Sequence, residues 1–197
     1  MKTATSLATL AALAALAALA PLEAGLPPGP GPRPVVVVRS DRGFGGSGCV
    51  VDALVYTAWH VVDDAREFRW EAGSSSGSLT LLGYDRDRDL AWLVPDSLTS
   101  SSLPQPARPA RVLPVAGELL WLVSMGIEDG ALRRLPHYAF YLDGDTLYTD
   151  GISWGGMSGA CLMNQRGEVV GVNLGCNGGG HPVRRSASRN ALLRGRP

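Results

Sequence analysis

The sequence predicts an all-β domain, on three observations. Between residues 35 and 174 the apolar positions fall in short runs at near-regular spacing. The runs are rich in Val, Leu and aromatic residues and are bounded by Gly, Asp, Ser and Pro, the residues that turn a chain. No stretch of this region carries a convincing amphipathic helical pattern. Such a pattern belongs to barrels or sandwiches and disfavours a parallel α/β sheet, which needs a helix between strands. The 197 residues fit one domain, or two small subdomains sharing an interface, with enough apolar content for a real core.

Each segment supports this in turn. Residues 1–20 combine one early charge, Lys2, with an Ala/Leu run that ends at Pro21, and Ala18-Leu19-Ala20 offers small residues for cleavage. This is a secretory-signal pattern, assigned to residues 1–24 because Pro21 is a poor residue to follow a cut. An uncleaved anchor is the alternative, and a weak one, since the run is short for a span of roughly 20 residues. Residues 25–34 are rich in Pro and Gly and read as an extended linker.

The folded domain is expected over 35–180. Four valines from Val35 open a strand, and runs at 49–51 and 54–57, separated by Asp52-Ala53, read as a hairpin. Runs at 68–70, 79–82 and 90–94 follow. Residues 95–114, rich in Ser and Pro, read as a crossing between two halves, after which 118–124, 139–142, 146–149, 160–163 and 169–174 supply a second set of strands. Residues 181–197 hold five arginines and read as a solvated tail or a short terminal helix over 188–193.

Formal net charge is zero, so no overall field draws the protein to nucleic acid or to an acidic membrane. The three cysteines, Cys49, Cys161 and Cys176, are an odd number, which leaves at least one thiol free in an isolated chain. A bridge between Cys161 and Cys176 requires their strands to be neighbours.

The chemistry gathers at Gly156-Met157-Ser158-Gly159-Ala160. Glycines two residues before and directly after Ser158 leave its hydroxyl with little bulk around it. A hydroxyl becomes a useful nucleophile when a base takes its proton and a third group orients that base. His60 stands where an apolar run ends, and Asp89 opens the run Leu90-Ala91-Trp92-Leu93, where a partly buried carboxylate needs a hydrogen-bonding partner. A lone histidine is more often structural, and the Asp85, Asp87 and Asp89 run with its arginines could be a solvated cluster. The ordered set decides between these readings.

Gly46-Ser47-Gly48, Thr57 through Val62, Asp89-Leu90-Ala91, and Thr149-Asp150 leading to Gly156-Met157-Ser158-Gly159 together resemble the trypsin-like serine peptidases, most closely the compact bacterial HtrA-like branch. The resemblance covers about 45–175. It implies two packed six-stranded antiparallel β-barrels with the active site between them. It also implies a peptide or protein substrate, a serine endopeptidase activity, and no cofactor or metal. His60, Asp89 and Ser158 would form the catalytic triad, and the N–H groups of Gly156 and Ser158 the oxyanion hole. The alternative is a catalytically inactive peptidase-like module that binds peptides.

The resemblance also implies a specificity pocket. Ile152, six residues before the serine, would lie at its base, and Asn173, Leu174 and Gly175 would supply its wall and an edge for pairing with substrate backbone. An apolar base favours small or medium apolar side chains over Arg or Lys. Three residues depart from the family. Met157 replaces an Asn or Asp, which argues against a zymogen switch that pairs a new amino terminus with an acid. Ala160 replaces a second glycine. Trp59 replaces a small residue and is expected to pack in the core. Too few residues follow Gly175 for a PDZ domain, so HtrA-like trimer assembly is not implied.

Two other site classes fit poorly. A hydrolase nucleophile elbow needs Gly at Ala160 and a helix after the serine, where Asn164-Gln165-Arg166-Gly167 reads as a turn. His60, His137, His181 and the cysteines show no close ligand pairs of zinc type. A secreted or periplasmic location follows from the signal pattern, with membrane attachment through an uncleaved N-terminus as the alternative.

Overall fold

The computed structural model describes residues 33–96, 102–176 and 188–193. The signal or anchor segment, nearly all of the Pro/Gly linker and most of the basic tail lie outside the described residues.

Two closed antiparallel barrels of six strands each account for almost the whole fold. The first comprises β1 (Val35–Ser40), β2 (Gly45–Val51), β3 (Leu54–Ala58), β4 (Phe68–Ala72), β5 (Ser75–Asp85) and β6 (Leu90–Pro95), joined in the order β1-β2-β3-β6-β5-β4. A single helical turn, α1 (Trp59–Val62), leaves β3. The second comprises β7 (Leu119–Met125), β8 (Leu132–Asp143), β9 (Thr146–Asp150), β10 (Cys161–Met163), β11 (Val169–Cys176) and β12 (Ser188–Leu192), in the order β10-β11-β12-β9-β8-β7. The predicted hairpin at Asp52-Ala53 is present, with Asp52 in the left-handed region at φ 53°. β12 replaces the solvated tail or terminal helix expected over 188–193. It is polar, and Ser188 and Asn190 are nevertheless fully buried, because Ser188 Oγ donates to Gly151 O and Asn190 Nδ2 to Leu147 O.

Burial explains why some strands read clearly and others did not. β5 alternates buried and exposed positions, as a strand with one wet face must. β7 has an unbroken buried stretch because its two faces serve different cores: Leu120 and Leu122 enter barrel two, while Trp121 and Val123 join a cluster with Val35, Val50 and Trp70 of barrel one. β10 divides in the same way, with Leu162 facing the second barrel and Cys161 and Met163 the first. The barrels are therefore packed on each other through shared strands of barrel two.

Two links reinforce that packing. The crossing segment bonds to both halves: Ala107 N donates to Val50 O at 3.1 Å, and Ala110 N to Val169 O at 2.8 Å. Cys49 of β2 and Cys161 of β10 form a disulfide with a Cα–Cα separation of 5.0 Å. This settles the question the sequence left open, whether Cys161 bridges to Cys176: it does not. Cys161 faces Val172 on β11, and Cys176 lies four residues further along, about 13 Å away on a strand. Cys176 is the free thiol.

Candidate active site

Asp89 and His60 come from different hairpins and meet at the mouth of barrel one. Asp89 sits in the turn before β6 at φ 53°, not within the strand. Its carbonyl accepts Trp59 N–H at 2.9 Å, and its Oδ1 accepts His60 N–H at 3.0 Å. These bonds satisfy the first N–H groups of α1, which Ala58, with no side-chain acceptor, leaves open. The second carboxylate oxygen lies 2.8 Å from His60 Nδ1. A carboxylate accepts, so Nδ1–H donates, and a neutral imidazole then presents Nε2 as a bare acceptor. The backbone of His60 and its ring are thus oriented by one residue.

Trp59 is half-buried. It packs on the barrel-one core as expected and also stacks on Tyr84, with ring centroids 4.0 Å apart and Arg86 5.4 Å above its ring. The stack ties α1 to β5 beside the Asp89 turn.

Ser158 lies in barrel two, between β9 and β10, on a loop braced by barrel one. Ser47 N–H donates to Ser158 O at 2.8 Å, and Ser47 Oγ donates to Gly156 O at 3.1 Å. Thr57 Oγ1 in turn donates to Ser47 O at 2.8 Å. The Gly-Ser-Gly motif gains a physical reason here. A Cβ on Gly46 would sit 2.6 Å from Ser158 O, and one on Gly159 would sit 1.8 Å from Ser47 O. From the other side Asn173 Nδ2 donates to Met157 O at 2.8 Å and to Ser153 Oγ at 2.9 Å.

These bonds commit nearly every peptide of the loop. Met157 N–H goes to Trp154 O, closing a turn whose third residue, Gly156, has φ 88°, the type II signature. Gly159 N–H goes to Asn173 O and Ala160 N–H to Met157 O. Among the described residues the N–H groups of Gly156 and Ser158 have no partner. Because Met157 O is held by Asn173 and Ala160, a trans peptide turns the Ser158 N–H the opposite way. Ser158 is half-buried, and its Oγ has no hydrogen-bond partner among the described residues. It lies beside Gly175, where an added Cβ would come within 3.8 Å of it.

The expected pocket residues divide. Gly175 is next to Ser158, on a stretch of β11 that extends past the end of β10. Asn173 is fully buried and both its backbone groups are taken, by Ala160 O and Gly159 N–H, so it is a strut rather than a wall. Leu174 is packed into the shared core. Ile152 does not close a pocket floor: the residue is 70 % exposed, and its carbonyl is drawn inward by His137 Nε2–H at 3.1 Å. Ser153 is the side chain of that segment that turns in. Cys176 Sγ donates to Ser153 O at 2.8 Å, beside Ser188.

Three residues with structural claims on the site drew no role from sequence. Ser47 was visible only as part of a motif. His137 is buried under Gly151, where a Cβ would lie 2.4 Å from its ring, and burial lowers its pKa despite the Ile152 carbonyl and the Asp150 charge. Ile127 covers Gly156 at the side of a cleft of about 410 Å³ that Trp154 and Gly155 also line. Among the described residues no group of three or more His, Cys, Asp or Glu converges as a metal site would require.

The trypsin-like peptidase domain model matches residues 36–172. The chain belongs to the trypsin-like peptidases. Its activity class is accordingly serine endopeptidase. Solved structures with the same fold include the active form of the Rv3671c protease from M. tuberculosis, at 22% identity and TM-score 0.67, covering 82% of this chain and 77% of that one. The MamO protease domain from Magnetospirillum magneticum is similar at 19% identity and TM-score 0.65, covering 83% and 93%. The serine endoprotease from Yersinia pestis is similar at 22% identity and TM-score 0.67, and the match covers 81% of this chain and 58% of that one. No curated protein sequence matches the chain.

Proposed function

We propose that this peptidase cleaves peptide bonds through His60, Asp89 and Ser158 by way of an acyl-enzyme. Ser158 Oγ attacks the carbonyl carbon while His60 Nε2 takes its proton. The resulting oxyanion is met by the N–H groups of Gly156 and Ser158. The C–N bond then breaks as His60 returns the proton to the leaving amine, leaving an ester on Ser158. Water attacks that ester with His60 again as base, releasing a carboxylic acid and the free serine. Asp89 keeps the proton on Nδ1 and stabilises the imidazolium.

The observation that carries this reading is the pair of uncommitted N–H groups at Gly156 and Ser158 in a loop whose other N–H groups from Met157 to Ala160 are bonded. Preorganised donors of this kind act where charge develops. A second reading, an inactive peptide-binding module, draws on the absence of a hydrogen bond from Ser158 Oγ among the described residues. Nucleophile–base bonds are often loose before substrate binds. A fluorophosphonate probe separates the two. Covalent labelling that vanishes in Ser158→Ala is expected, and a folded wild type that takes no label leaves only the binding module.

For specificity we propose small, uncharged side chains at the cleaved residue. Among the described residues, Ser153 and Ser188 gather at Cys176, next to Gly175; all three are small, and none of them carries a carboxylate to favour Lys or Arg. Cleavage of a peptide library chiefly after Arg or Lys would refute this. We also propose export. The signal-like residues 1–20 and the Cys49–Cys161 disulfide, a bond that persists in oxidising compartments, support it. The mass of the mature N-terminus distinguishes a cleaved secreted form from an anchored one.

A further inference from the structure

Met157 leaves the oxyanion turn without a charged anchor of its own, since this apolar side chain is buried in the core of barrel two. What covers the turn instead comes from the β7–β8 loop. Ile127 lies against Gly156 closely enough that a Cβ there would meet its Cδ1 at 2.8 Å and its Cγ1 at 3.1 Å. On its other side the same side chain approaches Gly45 of β2, 3.5 Å from where a Cβ would stand. Ile127 is thus a wedge between barrel one and the turn.

The loop that carries the wedge is closed on itself and tethered from outside. Asp129 accepts Ala131 N–H at 3.0 Å and pairs with Arg133 at 2.7 Å, and Gly126 N–H donates to Ala131 O at 2.8 Å. The external tether is Arg39 of β1. Its Nη2 donates to Ile127 O at 2.6 Å while its Nε pairs with Glu71 Oε2 of β4 at 2.8 Å. The planar guanidinium fork makes both bonds at once, with Glu71 fixing its orientation. Ile127 is therefore held at its carbonyl by one barrel and presses with its side chain on the oxyanion turn of the other.

We infer that Arg39 is a positioning residue for catalysis, acting through Ile127 to hold the Gly156 N–H in its oxyanion geometry. The inference rests on the reading of Gly156 as an oxyanion donor. Ser47 holds the Gly156 carbonyl, whereas the carbonyl of Gly155, one peptide earlier, has no partner among the described residues. That peptide carries the Gly156 N–H. It lies between two glycines, so side-chain sterics do not limit its rotation. The Ile127 wedge is the contact that restrains it.

Arg39→Met keeps the aliphatic stem and removes both donors. Direct loss of an oxyanion donor costs about 100-fold or more in kcat, so an indirect displacement is expected to cost roughly tenfold. KM should stay within about twofold, the pattern of a lost transition-state interaction. Affinity for a peptide boronic acid, whose tetrahedral adduct on Ser158 mimics the intermediate, should fall in parallel with kcat, and Arg39→Lys should recover part of both. Unchanged kcat and boronate affinity in Arg39→Met overturn the inference, as does a rise in KM alone. If Arg39→Met melts early, Ile127→Ala, which leaves the Arg39–Glu71 pair in place, must show the same split, and normal kcat there also overturns it. A wild type that neither cleaves nor takes label removes both the clamp and the proposed mechanism. An active wild type with an indifferent Arg39→Met removes the clamp alone.

Discussion

Gly159→Ala and Gly155→Ala add one methyl group each to the same loop and should behave as opposites. At Gly159 the new Cβ would lie 1.8 Å from Ser47 O and 2.3 Å from Thr57 Oγ1, at φ 89°. Contacts under 3.0 Å are essentially never tolerated, so the loop and β2 must part by at least 3.0 − 1.8 = 1.2 Å. The left-handed conformation alone costs an alanine about 1–2 kcal/mol. The separation also strains the Ser47 N–H to Ser158 O and Gly159 N–H to Asn173 O bonds, each worth about 1 kcal/mol net. A loss of roughly 3–4 kcal/mol in unfolding free energy is expected by denaturant titration. Because Ser158 moves with the loop, a displacement near 1 Å should lower kcat/KM by about 100-fold or more on any peptide the wild type cleaves. At Gly155 nothing lies within 4 Å of the added atom, and stability should change by less than about 0.5 kcal/mol. If Gly159→Ala folds with wild-type stability and activity, or if the two variants are equally damaged, the brace between Ser47 and the serine loop is not what holds the site.

Two further perturbations test the frame around it. The Cys49–Cys161 disulfide closes a loop of 112 residues between the barrels, so Cys49→Ala with Cys161→Ala should cost about 2–4 kcal/mol, and reductant should destabilise the wild type but leave the double variant unchanged. Equal sensitivity to reductant would show that the bond does not form. Burial holds the His137 imidazole below its ordinary 6.5, so the unfolded chain binds the proton first. Stability is full above about pH 6.5 and is lost as pH falls towards the depressed native value. His137→Gln should flatten the stability profile as pH falls below about 6.5, and parallel profiles for the two proteins would refute the assignment.

How far the fold could be read in sequence followed from where each strand's second face goes. β1, β7, β10 and β11 face core on both sides or nearly so, and their continuous apolar runs announced them. β5 and β8 were recognised only in part. The Ser75-Ser76-Gly77-Ser78 half of β5 and the Arg133-Arg134 half of β8 carry little apolar signal and are held by ladder bonds to β4 and β7. β12 was missed for the same reason in stronger form: Ser188 and Asn190 are buried because their side chains find backbone carbonyls on β9 and the 151 segment, which no local pattern encodes. The cysteine pairing was equally beyond reach, because Cys49 and Cys161 are neighbours only once the barrels have packed.

The site divides along the same line. The proposed triad of His60, Asp89 and Ser158 could be named because acyl-transfer chemistry restricts residue type and order, and the Gly-Ser-Gly motif because close backbone approach restricts size. The pocket was not. Counting back six residues from Ser158 reaches Ile152, but the count cannot tell which way the backbone turns there, and His137, whose place beneath the 151–152 segment depends on β8, draws the Ile152 carbonyl inward and leaves Ile152 exposed. Asn173 makes the same point from the other side: its position near the serine was read correctly, while its role as a buried strut depends on Met157 O and Ser153 Oγ converging on one amide. The residues proposed to react were named from type and spacing. Those that brace the serine loop, Ser47 and Asn173, and those proposed to act on its turn, Ile127 and Arg39, do so through contacts that exist only between the two barrels or across the second one, and so become visible only in the folded chain.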